Sequence, residues 1–264
     1  MNRFFGLVLM LLTITVESAP GQQSLLELVQ RAIAGDKSAL LQLTGMGDAG
    51  DAAAQYGLGL IYQKGDGVPR DSATAVNWFQ KSADQGFAAS QNSLGGMYAT
   101  GEGLPRSSSN ALNWFRKAAE QGDAQAQFNL ALMYMNGDGV PNDLVMAFSL
   151  FRKSAEQGYA DAQLNLGVMY AKGTGVPKDE ATAATWYTKA AEQGDVSAQY
   201  NLCPMYYLGA GVPKDVVMAY MYCNLAAAKG HEKAKEVRDI AERHMTPAQI
   251  GEAQKLTREW KPKK

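Results

Sequence analysis

The stretch Leu58-Gly59-Leu60-Ile61-Tyr62-Gln63-Lys64-Gly65-Asp66-Gly67-Val68-Pro69-Arg70-Asp71 decides the fold, because its landmarks return at a step of 36 residues. Tyr62 recurs as Tyr98, Tyr134, Tyr170 and Tyr206. Gly65 recurs as Gly101, Gly137, Gly173 and Gly209, Gly67 as Gly103, Gly139, Gly175 and Gly211, and Pro69 as Pro105, Pro141, Pro177 and Pro213. Leu58 leads to Leu94, Leu130, Leu166 and Leu202, while Gln55 leads to Gln91, Gln127, Gln163 and Gln199. Six columns in one register identify a tandem repeat, in which each unit is a small supersecondary element that buries its apolar face against its neighbours.

Each unit reads as two helices. Ala52 to Lys64 places Ala54, Leu58, Ile61 and Tyr62 at helical spacing. Gly65 ends that helix in a left-handed C-terminal cap, and Pro69 keeps the following turn from becoming helical. Asp71 then caps a second helix that carries Ala75, Trp78, Phe79 and Ala83 and stops at Gly86. The cap column reads Asp71, Ser107, Asp143, Asp179 and Asp215, which keeps a hydrogen-bond acceptor and not a charge. One residue after the core leucine stand Gly59, Gly95, Ala131 and Gly167. Glycine inside a helix costs about 1 kcal/mol against alanine, so its return implies close packing, and Phe79, Phe115, Phe151 and Tyr187 are the residues to fill the gap.

This pattern, Leu58-Gly59 through Tyr62, Gly65-Asp66-Gly67-Val68, Asp71, Ala75, Trp78 and Ala83 to Gly86, resembles the Sel1-like (Sel-one-like) repeat family, a relative of the tetratricopeptide repeats. The resemblance covers residues 51–230. It implies an all-α, right-handed α-solenoid of stacked antiparallel helix pairs that mediates protein–protein contacts. A solenoid needs polar caps on its end faces. Residues 24–50 are expected to form the N-terminal capping helices, starting at a Ser24/Glu27 capping box. Residues 231–264 are expected to form C-terminal capping helices and a basic tail, with Val237, Ile240 and Ala241 turned inward and Thr246-Pro247 opening the last helix.

Residues 1–19 differ from the rest. Arg3, an uncharged apolar run from Phe4 to Val16, and small Ser18 and Ala19 have the order of a cleaved secretory signal peptide, with a retained anchor as the alternative. The expected location is therefore periplasmic or secreted, with no membrane span in the mature chain. Net charge of −1 gives no field to attract nucleic acid. The two histidines and two cysteines form no metal-ligand spacing, so neither a metal nor another cofactor is expected. The Gly-x-Gly pairs lie between helices, which is the wrong context for a phosphate loop. No serine stands three residues before a lysine, as an acyl-transfer site of the β-lactamase type needs. The reading is a binding scaffold and no enzyme; the alternative is a wall-active protein that binds or cuts peptidoglycan or β-lactams.

Columns that vary between repeats are free to specify a partner. On the first helix of each pair, by analogy with tetratricopeptide stacks, the face opposite Leu58 lines the concave groove. Its candidate partner-binding residues are Tyr56, Phe128, Leu164 and Tyr200 in one column, Met135 and Tyr207 in another, and Asn129, Asn165 and Asn201 in a third. Aromatic anchors with adaptable amide neighbours suit a protein or peptide ligand, and the chain is expected to be a monomer. Cys203 falls in the Gly59 column and Cys223 in the Phe79 column, so the two face each other in one repeat and are expected to form a disulfide, with two buried thiols as the alternative.

Overall fold

The computed structural model describes residues 20–263, with side chains from Leu25 onward, so the export segment expected at residues 1–19 lies outside the described residues. Among the described residues there are fourteen helices and no strand. Two compact units divide the chain, Met1–Ala126 and Gln127–Lys264.

The first unit opens with α1 (Pro20–Ile33) and α2 (Lys37–Asp48), followed by the pair α3 (Ala52–Lys64) and α4 (Ser72–Asp84) and the pair α5 (Ala88–Thr100) and α6 (Ser108–Glu120). Because α1 begins at Pro20, Ser24 lies inside the helix and not at its cap. Asp36 caps α2 by accepting the Ser38 and Ala39 amides. Leu25, Val29 and Ala32 of α1 and Ala39 and Leu43 of α2 close over Ala54, Leu58 and Ile61, which seals the front of the first repeat. Within α3–α4 the chain turns as the spacing predicts. Gly65 takes φ 78°, its N–H donates to Ile61 O, and the Asp71 N–H donates to Tyr62 O at 2.9 Å, closing the loop before Asp71 caps α4. The second glycine of the loop has a different reason: a Cβ on Gly103 would run into the Ser72 carbonyl, so the loop of one repeat rests on the backbone of the helix pair before it.

The second unit contains most of α7 (Ala124–Asn136), then α8 (Leu144–Glu156), α9 (Ala160–Lys172), α10 (Glu180–Glu192), α11 (Val196–Leu208) and α12 (Val216–Ala228). Two further helices, α13 (Glu232–Glu242) and α14 (Pro247–Glu259), end it. Consecutive helices from α8 to α13 pack in sequence order, and α14 packs on α12. The core alternates small and large: Ala183, Ala190, Ala198 and Leu202 are fully buried beside Tyr187 and Tyr222, and Val237, Leu256 and Trp260 pack on it from the end. On α13 the inward residues are Ala234 and Ala241, both 0% exposed, while Ile240, expected inward, is 47% exposed. The last helix opens at Thr246-Pro247 as expected, and Thr246 and Gln249 form a capping box there.

Candidate functional site

Helical periodicity sets which part of each first helix is open. Leu58, Leu94, Leu166 and Leu202 are 0% exposed and Leu130 is 4% exposed. The variable columns separate into two kinds. Asn129, Leu132 and Met135 on α7, Asn165, Val168 and Ala171 on α9, and Asn201, Pro204 and Tyr207 on α11 are half-buried, and Leu208 at the end of α11 is 70% exposed. The Asn165 amide donates back to Asp161 O. The Tyr207 ring has the Lys214 ammonium 5.8 Å from its centroid and the His244 ring 6.3 Å away. These side chains leave amides, aliphatic carbon and one phenol on a common face with little charge.

The column of Tyr56, Phe128, Leu164 and Tyr200 behaves differently. In the first unit Tyr56 is 7% exposed, its ring lies 5.9 Å from Phe79 and 5.4 Å from Phe87, and burial pushes its hydroxyl up to about 12. Tyr56 is therefore a packing residue, a correction to its place among the groove anchors. In the second unit Phe128 lies 5.6 Å from Phe151 and 5.2 Å from Tyr159, and Tyr200 stacks at 4.1 Å on His231. Both rings are half-buried, and Leu164 packs partly on the core.

Each of these rings meets the residue that stands just before the next first helix. Those N-cap positions read Phe87, Asp123, Tyr159, Asp195 and His231. Where the helix residue is aromatic the cap is aromatic, and where it is Asn92 or Leu164 the cap is aspartate. Asp123 and Asp195 accept the Ala126 and Ala198 amides, whereas Phe87 and Tyr159 make no side-chain cap bond. His231 does both, stacking on Tyr200 and accepting the Ala234 amide at Nδ1. Burial raises the carboxyls of Asp123 and Asp195 above their usual range. The two columns vary together, so neither alone carries the signal.

A second network was also missed. The invariant glutamine of each first helix is buried, and Gln85, Gln121, Gln157 and Gln193 donate to the side-chain oxygens of Gln55, Gln91, Gln127 and Gln163 at 2.7–2.8 Å. The amides of Gln91 and Gln163 in turn donate to Ala83 O and Ala155 O of the preceding helix. The signal was the glutamine column itself, which no surface role would hold so constant.

Cys203 and Cys223 are joined as a disulfide, their Cα atoms 5.3 Å apart, between α11 and α12. The equivalent contact elsewhere is glycine on ring: a Cβ on Gly95 would lie 2.7 Å from Phe115 and one on Gly167 2.6 Å from Tyr187. The basic end is tied down, with Lys263 paired to Glu192 at 2.6 Å. Among the described residues no cluster of three His, Cys, Asp or Glu is placed to hold a metal ion, and no helix is long and apolar enough to cross a membrane.

Comparison with known proteins places this geometry. The family model described as Sel1 repeat matches residues 52–87, 88–123, 124–159, 160–195 and 196–231. No curated protein matches the chain. Among solved structures it is similar to a protective antigen present in uropathogenic Escherichia coli strains that displays an SLR fold, with 35% identity, TM-score 0.77, and coverage of 89% of this chain and 53% of that one. The chain thus spans about half the length of that antigen. It is also similar to a Sel1 repeat protein from Oxalobacter formigenes, with 33% identity, TM-score 0.72, and coverage of 80% of this chain and 88% of that one. An immunity protein from Pseudomonas aeruginosa, 20% identical with TM-score 0.55 over 81% of this chain and 83% of its own, shares the fold alone.

Proposed function

The chain belongs to the Sel1 repeat family, and on that premise we propose that it is an exported scaffold that holds a protein or peptide partner against the open face of α7, α9 and α11. The observation that carries this reading is the contrast along each first helix. The invariant leucine column is shut at 0–4% exposure, while Asn129, Asn165, Asn201, Met135, Val168 and Tyr207 stay half-open beside an exposed Leu208. Amides beside apolar surface give a ligand both contact area and main-chain hydrogen bonds.

Export is supported by the residue order of positions 3–19 and by the disulfide, because such bonds persist in oxidising compartments. Catalysis has no support in the arrangement. His231 is committed to a helix cap, and the carboxylates of Asp71, Asp143, Asp179 and Asp215 are spent on capping second helices.

A photo-crosslinking residue placed at Asn165 or Asn201 tests the face directly in envelope fractions of the producing cell. One defined adduct is expected from either site, and none from Thr185 on the exposed side of α10. Equal yields from all three positions, or adducts from Thr185 alone, would remove the binding face from α9 and α11.

A further inference from the structure

The carboxyl-terminal strap, Trp260 to Lys263, and the glutamine ladder meet at one side chain. Lys229 occupies the column of Gln85, Gln121, Gln157 and Gln193. In the repeat before it, the Gln193 amide serves two acceptors, Gly158 O at 2.9 Å and Gln163 Oε1 at 2.8 Å. The Lys229 ammonium takes the first of the equivalent acceptors, Gly194 O at 2.7 Å, and lies 5.5 Å from the centroid of the Trp260 ring. The second acceptor, Gln199 Oε1, is fully buried and receives no protein donor.

The strap packs on the same turn. Trp260 and Pro262 each come within 3.7 Å of where a Gly194 Cβ would stand, whereas Gly86, Gly122 and Gly158 have open space there. The Lys263 N–H donates to Glu192 O at 2.7 Å, and its ammonium pairs with the Glu192 carboxylate at 2.6 Å. The docked strap thus offers Lys229 a π-face on the outside, and the lysine that serves it is the group that would close the ladder on the inside.

We propose that the strap and the ladder compete for Lys229, which makes the strap a releasable latch. With the strap docked, Lys229 is held on Gly194 and Trp260 and the Gln199 oxygen goes without a protein donor. With the strap released, the flexible four-carbon stem of Lys229 turns its ammonium to Gln199 and completes the fifth rung. A buried acceptor without a donor disfavours the docked state, and closing the rung offsets what the strap gives up when it lets go. The strap's own ion pair is weak, since Lys263 is 71% exposed. Release uncovers the Gly194 turn and the end of α10, so the end of the array has two states separated by one side-chain movement.

The test is nuclear magnetic resonance on the full chain, following the Lys263 amide exchange rate and the Gln199 side-chain amide signal. In Lys229→Gln the new amide serves both acceptors, as Gln193 does. The Gln199 signal should then move toward that of Gln163, and Lys263 exchange should rise about two- to fivefold as the strap loses its cation. Glu192→Gln loosens the strap from its other end through a half-buried surface side chain and keeps the variant folded. There the Gln199 signal should shift in step with Lys263 exchange. Faster Lys263 exchange with a fixed Gln199 signal in Glu192→Gln would overturn the latch. So would unchanged strap exchange in Lys229→Gln, or a wild-type Gln199 signal already coincident with that of Gln163.

Discussion

Gly95 and Gly96 are neighbours on α5 that lack a side chain for different reasons. A Cβ on Gly95 would sit 2.7–2.8 Å from the Phe115 ring, while one on Gly96 meets nothing within 4 Å. Gly95→Ala should therefore lower stability by about 1–3 kcal/mol through overpacking, and Gly96→Ala should raise it by up to about 1 kcal/mol through helix propensity. Urea midpoints of the two variants check this, and a shift of the same sign in both would refute the packing account. Asp123 supplies a pH test. Burial raises its carboxyl above the usual range, so the folded state disfavours its charge. That penalty is fully present above the folded pKa and disappears as pH falls through the ordinary carboxylate range. Asp123→Asn keeps an oxygen for the Ala126 amide and removes the charge. It should be more stable than the parent at pH 7, with the gap closing toward pH 4 in paired urea titrations.

At the scale of the helix and the helix pair, boundaries were legible because each is set by local chemistry. The Gly65 cap, the Pro69 turn and the Asp71 cap put α3 and α4 where the residues say. Contacts between elements were less legible, since a variable column looks free when its partner column varies with it. Phe128 and Tyr200 show the difference. Their tolerance of Asn92 and Leu164 in other repeats reads as freedom for a ligand, but each ring packs on its own cap residue. Phe128→Ala is accordingly expected to cost about 1–3 kcal/mol, less than the 2–5 kcal/mol or so for Leu166→Ala in the closed column, as measured by thermal or urea unfolding. The α11–α12 pair has its own test. Denatured, unreduced protein should label at neither Cys203 nor Cys223, and replacing both by alanine should remove about 2–4 kcal/mol. Two labelled thiols would mean that the pair is held by packing alone.

For the molecule as a whole, the tandem register was the most readable property, because periodic columns need no knowledge of contacts. The ends were harder. The front cap was readable as two helices, but its start was not, since Ser24 and Glu27 have capping spacing inside a helix that already runs from Pro20. The tail is legible in sequence only as basic, while Lys263 reaches back 71 residues to Glu192, a contact with no trace in local sequence. Export belongs to this scale as well. Intact mass of the protein from its native host should show loss of the first eighteen or nineteen residues, as the Ser18-Ala19 site implies; a full-length product would return the apolar segment to the role of an anchor.

The pairing of each first-helix ring with its own cap residue also fixes where the array can be cut. Side-chain matches such as Gln163–Gln193 and Tyr200–His231 begin and end inside one matched segment, 160–195 or 196–231. The bonds that Gln163 and Gln199 send to the preceding helix go instead to backbone carbonyls, which every sequence supplies. A segment excised between residues 159 and 160 and between 195 and 196 keeps its glutamine rung whole and gives up contacts such as Phe148–Tyr170 that cross the junction, whereas one cut in the loop at Gly173–Asp179 splits the rung itself. Recombination at the former junctions leaves every rung and every ring–cap pair whole, so the number of repeats is a quantity that evolution, or an engineer, can change in single steps.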